Sequence, residues 1–256
     1  MEALIGWTSL LIFVRITTFF VSAPIFSALQ VPATIKIGLG AMLTILCVGV
    51  IKDPVQSVSS GELLLLILKE FLVGLALGMA ANIILYSVLL AGTLIDTQTG
   101  FSMASLFDPT FGTSMQLTGR FKNIMAILFF FATDSHHLLI KGILSSFDWV
   151  SVSSTVPAWM DGRISTFFLV CLNQLFMLGF MMAAPIIGTL FIVDVALGII
   201  ARTVPQMNIF AIAPPIKIML YFLLYTFVLP SFFYLLKILV ENMVDSMGSI
   251  LKIMGA

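Results

Sequence analysis

The chain is 256 residues long, 60% hydrophobic and only 9% charged, with a mean hydropathy of +1.16. Soluble domains carry about 25% charged residues, so this composition suits lipid or burial among other apolar chains. Twelve acidic residues balance twelve basic ones, which argues against a nucleic-acid-binding surface.

The first residues, Met1-Glu2-Ala3-Leu4, lack the positive region and small-residue cleavage site of a signal peptide, and the first apolar run is expected to be retained. Apolar runs occupy residues 3–29, 33–51, 63–95, 121–144, 164–200 and 209–240. A membrane span needs about 20 apolar residues, which 33–51 barely reaches and the others satisfy. Runs 63–95 and 164–200 would form helices of roughly 50 Å, well beyond a ~30 Å hydrocarbon core. They must tilt, break or leave the bilayer. Pro185 and Pro230 mark expected kinks in the last two runs. Lys36, Lys52, Arg120, Lys122, Arg163, Arg202, Lys237 and Lys252 are scattered, so the positive-inside rule yields no clear orientation. Gly74 with Gly78, and Ala184 with Gly188, have the spacing of closely packed membrane helices. Cys47 and Cys171 lie inside apolar runs without metal-ligand spacing and read as ordinary buried residues.

Polar residues inside these runs are the informative exceptions, because an intramembrane charge demands a partner. Arg15 sits too deep in its run to snorkel and is expected to pair with an acidic residue of another helix or another subunit. Lys69 and Glu70 are expected to compensate each other or their neighbours. Residues 96–120 read as the longest non-helical stretch, punctuated by Gly100, Pro109, Gly112 and Gly119. Phe101, Met103, Leu106, Phe107, Phe111 and Met115 make it too apolar for a free aqueous loop. It reads as a re-entrant connection buried in protein or, more sharply, as a deformable seal, since Phe supplies bulk and Met adapts. Asp134, His136 and His137 invite a metal or proton-relay reading, but adjacent helical side chains point about 100° apart. No further histidine exists, and the group reads as a polar helix break with no metal.

Residues 145–163, rich in serine and carrying Trp149, Pro157 and Trp159, form an interfacial linker between halves 1–144 and 164–256. Residues 194–217 place Asp194, Arg202, Gln206, Asn208 and Lys217 in very apolar surroundings, with Pro205, Pro214 and Pro215 breaking continuous helix. Those polar groups are expected to face partners, a cavity or a pathway rather than lipid. No Gly-rich phosphate loop, HExxH, GxSxG or CxxC motif occurs. No enzyme activity, catalytic residue or cofactor is expected.

The stretch 194–217, reading Asp-Val-Ala-Leu-Gly-Ile-Ile-Ala-Arg-Thr-Val-Pro-Gln-Met-Asn-Ile-Phe and ending Pro-Ile-Lys, closely resembles the signature of the FliR family. These are flagellar type III export-gate subunits, related to the SctT family of injectisomes. Ile95-Asp96-Thr97-Gln98-Thr99-Gly100-Phe101 with Asp108-Pro109, and residues 134–139 with their paired histidines, agree with it. The resemblance covers essentially the whole chain, as a single family domain.

It implies an all-α, membrane-associated fold of long kinked helices and hairpins, a FliP-like unit continuing into a FliQ-like hairpin. FliP and FliQ would complete a hetero-oligomeric core complex in the bacterial inner membrane and flagellar basal body, with FlhB as a further partner. Unfolded flagellar proteins would be the cargo. The central loop would help to close the pore, with Phe101, Met103, Leu106, Phe107, Phe111 and Met115 as seal residues. Arg15, Asp96, Asp194, Arg202, Pro205, Gln206, Asn208 and Lys217 would make assembly or helix-break contacts. The rival readings are an injectisome gate subunit, a secondary transporter with its site in 194–217, and an intramembrane enzyme using Asp134 and His137.

Overall fold

The computed structural model describes residues 2–27, 31–49, 60–103, 117–154, 162–204, 206 and 208–255, apart from the side chains of 2–5, 103, 209 and 210. All regular structure among the described residues is helical. In chain order the elements are α1 (Glu2–Ser22), α2 (Ala33–Val48), α3 (Ser60–Thr99), a 3-10 turn (Phe101–Met103), α4 (Leu117–Ala132), α5 (Ser135–Trp149), α6 (Arg163–Thr203) and α7 (Ile209–Gly255). Helices α3, α6 and α7 are 40, 41 and 47 residues long, each at least ~60 Å at 1.5 Å per residue. By length and composition these three could cross a membrane, and α4 with α5 would make a fourth, broken span.

The chain divides into two compact units. The first comprises Met1–Leu85, Thr133–Asn173 and Val240–Ala256; the second comprises Tyr86–Ala132 and Gln174–Leu239. In the first unit, Ile12, Ile16 and Phe19 on α1 are fully buried, at the spacing of one helical face. The backbone of α1 approaches α3 so closely that a Cβ at Gly74 would strike the Arg15 carbonyl, and one at Gly78 would strike Ser22. The glycine pair thus sets the distance between these helices, as its spacing predicts. Gly188, by contrast, has open space around it. In the second unit Val88, Ala91 and Ile95 form the buried face of α3, while Ala183, Ile186 and Leu190 bury their counterpart on α6.

Much apolar surface stays uncovered. Only 17% of the most apolar window of α6 is buried, against 50% for α3. Leu169, Phe176, Phe180, Phe191 and Val195 of α6 are all exposed. Contiguous apolar surface on this scale marks a membrane or partner interface rather than a free surface.

Several sequence-based boundaries move. Residues 96–99 belong to α3 and 117–120 to α4, so the non-helical connection is shorter than 96–120. Threonine does not break α3, because Thr97 donates to the Leu94 carbonyl at 2.8 Å and Thr99 to that of Ile95 at 3.0 Å, returning both hydroxyls to the helix. The linker at 145–163 likewise begins later, since α5 runs to Trp149. The break expected across 194–217 shrinks to the few residues between Thr203 and Ile209. Pro214 and Pro215 lie within the second turn of α7, where the helix continues past them although each removes one donor. Neither Pro185 nor Pro230 interrupts its helix assignment. The run 121–144, in turn, is divided by a turn at Thr133 and Asp134.

Candidate functional site

The buried charged residues gather into one cluster in each unit. In the first, Arg15 and Glu70 are fully buried and Lys69 nearly so. The Arg15 guanidinium pairs with Glu70 through both carboxylate oxygens, Nη2 donating to Oε1 at 3.0 Å and Nε to Oε2. Its remaining donors reach the Ser146 carbonyl at 2.9 Å, the Ser146 hydroxyl at 3.1 Å and the Val150 carbonyl at 2.9 Å. The Phe147 ring lies 4.3 Å from the guanidinium carbon. Lys69 pairs with Glu70 at 2.9 Å and donates to the carbonyls of Ser151, Val152 and Ser154 at 2.7, 3.0 and 2.9 Å.

Arginine's five donors suit this many-sided role. Arg15 binds carbonyls at the end of α5 and at its C-cap, Ser146 and Val150, while Lys69 binds those of the segment that follows the helix. Arg15 therefore finds its acid on another helix of the same chain, and Lys69 and Glu70 compensate each other as expected. The involvement of Ser146 and of the 150–154 backbone was not legible in the sequence, because carbonyl acceptors carry no sequence signal.

In the second unit the cluster surrounds the two ends of the connection between α3 and α4. Gly100 closes α3 with φ 91°, a left-handed position that glycine adopts without penalty. Asp96, buried in the last turn of α3, accepts from the Thr118 N–H at 3.1 and 3.2 Å and from that of Gly119 at 3.5 Å. A carboxylate on the first amides of α4 supplies both the missing acceptor and a favourable charge. One turn earlier on α3, a Cβ at Gly92 would collide with the Gly119 backbone, so the start of α4 is pressed directly onto α3.

Asp194 of α6 pairs with Lys217 of α7 and accepts from the Gln98 side chain at 2.8 Å. Lys217 also donates to the Gln98 carbonyl at 3.2 Å. Three helices thus meet at one half-buried polar knot. Phe101 meets Tyr221 edge to face, 5.9 Å between centroids. Lys122 is fully buried, and its ammonium has no hydrogen-bond partner among the described residues. It lies 5.1 Å from the Phe232 ring centroid and 5.9 Å from that of Tyr225, which offers cation–π attraction instead. Lys122 was counted in the sequence only as one of the scattered charges.

The structure joins Asp194 and Lys217 through Gln98 and sets Asp96 apart from them on the α4 amides, whereas Arg202, Gln206 and Asn208 are exposed. Asn208 marks the end of the helix break, its carbonyl accepting from the Ala211 N–H at 3.1 Å. Leu106, Phe107, Phe111, Met115 and Pro205 lie outside the described residues, as does the side chain of Met103.

The expectation that His136 and His137 point apart is overturned. Their rings lie beside each other with centroids 4.1 Å apart, although both residues belong to the first turn of α5.

The family model described as bacterial export proteins, family 1, matches residues 7–243. The flagellar biosynthetic protein FliR of Bacillus subtilis (strain 168) is 38% identical over 246 residues, 96% of this chain and 95% of that protein. The protein of that name from Escherichia coli (strain K12) is 29% identical over 222 residues, 85% of this chain and 83% of its own. Yop proteins translocation protein T of Yersinia pestis is 31% identical over 172 residues, 66% of this chain and 64% of its own.

Proposed function

Because this chain belongs to family 1 of the bacterial export proteins, the FliR family, we propose that it is a non-enzymatic, pore-forming subunit of the flagellar type III export gate. Its role is to help unfolded flagellar proteins cross the bacterial inner membrane at the flagellar basal body. The observation that carries this reading is the 38% identity to the Bacillus subtilis flagellar protein across 96% of the chain. The exposed apolar face of α6 supports it physically. Helices of ~60 Å cannot lie wholly within a ~30 Å hydrocarbon layer, and FliP- and FliQ-like subunits would cover the surplus. FlhB is the further partner proposed.

Within that gate, residues Phe101, Met103, Leu106, Phe107, Phe111 and Met115 form a deformable seal that yields to a passing chain. Asp96 and the group of Asp194, Gln98 and Lys217 hold the helices from which it springs, while Arg202, Pro205, Gln206 and Asn208 supply contacts at the break before α7. Arg15 contributes inside the subunit, through Glu70.

Co-expression with FliP- and FliQ-like subunits should yield one stable hetero-complex, and replacing Phe107, Phe111 and Met115 by alanine should raise ion leakage severalfold. Unchanged leakage and export would remove the seal; small-solute uptake by the isolated protein would favour a transporter with its site at Asp194 and Lys217. The injectisome reading rests on the 31% identity to the Yersinia pestis protein. Complementation of a flagellar rather than an injectisome deletion strain separates the two.

A further inference from the structure

We propose that the turn leading into α5 is a binding site for a borderline divalent transition metal of the zinc, cobalt and nickel class, held by Asp134, His136 and His137. The chain has two histidines in all, and both stand at this turn. Each of the three residues offers one ligand atom, and the three atoms lie within 4.8 Å of one another.

The backbone explains why. Asp134 has φ 53° and ψ 21°, a left-handed conformation in which aspartate is enriched severalfold. It therefore precedes α5 rather than belonging to it, and its carboxylate turns towards the first helical residues. Oδ1 of Asp134 is 3.8 Å from Nδ1 of His137, and the two imidazole rings are tilted by only 35°. Ligands sharing one ion at ~2.1 Å stand roughly 3–3.5 Å apart. Ordinary side-chain rotation closes that gap, since the side chains of His137 and Asp134 are 62% and 78% exposed.

The donor set selects the class of ion. Imidazole nitrogens suit zinc, nickel and cobalt, whereas calcium and magnesium require oxygen cages. Two imidazoles and one carboxylate leave at least one position open to water or to a donor from another subunit. The positive end of the α5 dipole opposes any cation here, and the Asp134 carboxylate offsets it, so binding is weaker than at a structural site. Both cysteines are buried elsewhere, at Cys47 and Cys171, so no exposed thiol competes. A bound ion would lock the turn to the first turn of α5.

The test is a cobalt titration of the full chain, with any co-purified subunits and without a polyhistidine tag, followed by visible d–d absorption and reversed with zinc. One ion per chain is expected, with the signal abolished in His136→Ala/His137→Ala and affinity reduced at least tenfold in Asp134→Asn. Circular dichroism checks helix content, and His136→Gln/His137→Gln replaces the alanine pair if helix is lost. Absence of saturable binding overturns the proposal. So does binding that survives the double substitution, which would assign the ion to another subunit.

Discussion

A single carboxylate, Glu70, neutralises two cations in a place where neither can reach water. Replacing it with glutamine would leave Arg15 and Lys69 buried without a counter-charge, and breaking such a pair costs about 3–5 kcal/mol. The Glu70→Gln protein should therefore melt well below the parent, as measured by thermal unfolding of the purified complex. Ser146→Ala, which removes one of several acceptors around Arg15, should cost about 1 kcal/mol. The contrast between the two separates loss of charge balance from loss of a hydrogen bond. At this scale the sequence was partly legible: an arginine deep in an apolar run announces a partner, but nothing in residues 15 and 70 announces that they face each other. Lys122 was less legible still, since the rings of Tyr225 and Phe232, distant in sequence, stand where an acceptor would be expected.

The start of α4 depends on two features of α3, the Asp96 carboxylate and the absence of a side chain at Gly92. Asp96→Ala would strip the cap from the Thr118 and Gly119 amides and cost about 0.5–2 kcal/mol. Gly92→Val would drive α3 and α4 apart, because the obstructing atoms are backbone and overpacking typically costs about 1–3 kcal/mol. Both substitutions should speed hydrogen exchange at Thr118 and Gly119 while leaving amides of α1 unchanged. Most helices were readable from apolar runs and small-residue spacing, and Gly74 with Gly78 did what their spacing predicts. The ends of α3 and α6 were misjudged for one physical reason. Polar residues such as Asp96, Thr97, Thr99 and Asp194 look like helix breakers in sequence, yet each finds an acceptor or donor without leaving its helix. The residues proposed for the seal, from Leu106 to Met115, lie outside the described residues, and the proposal draws on composition and family.

For the whole molecule, the length of α3, α6 and α7 was visible as overlong apolar runs, but their shared membership of two compact units was not, because tertiary grouping leaves no local pattern. Each of the three contributes to both units. A chain cut before Val240 should lose the α7 partner of the first unit, including the Met247 side chain packed on Gly142. Limited proteolysis of such a truncation should cleave within α1 and α5, which the full chain protects. The same interleaving has a consequence for how the protein is made. The first unit draws on three separate stretches of sequence, so a ribosome that has delivered Arg15, Lys69 and Glu70 must still deliver residues 146–154, whose carbonyls complete their surroundings. Contacts of such long sequence separation form late. The first unit is thus complete only once the end of α7 has been made.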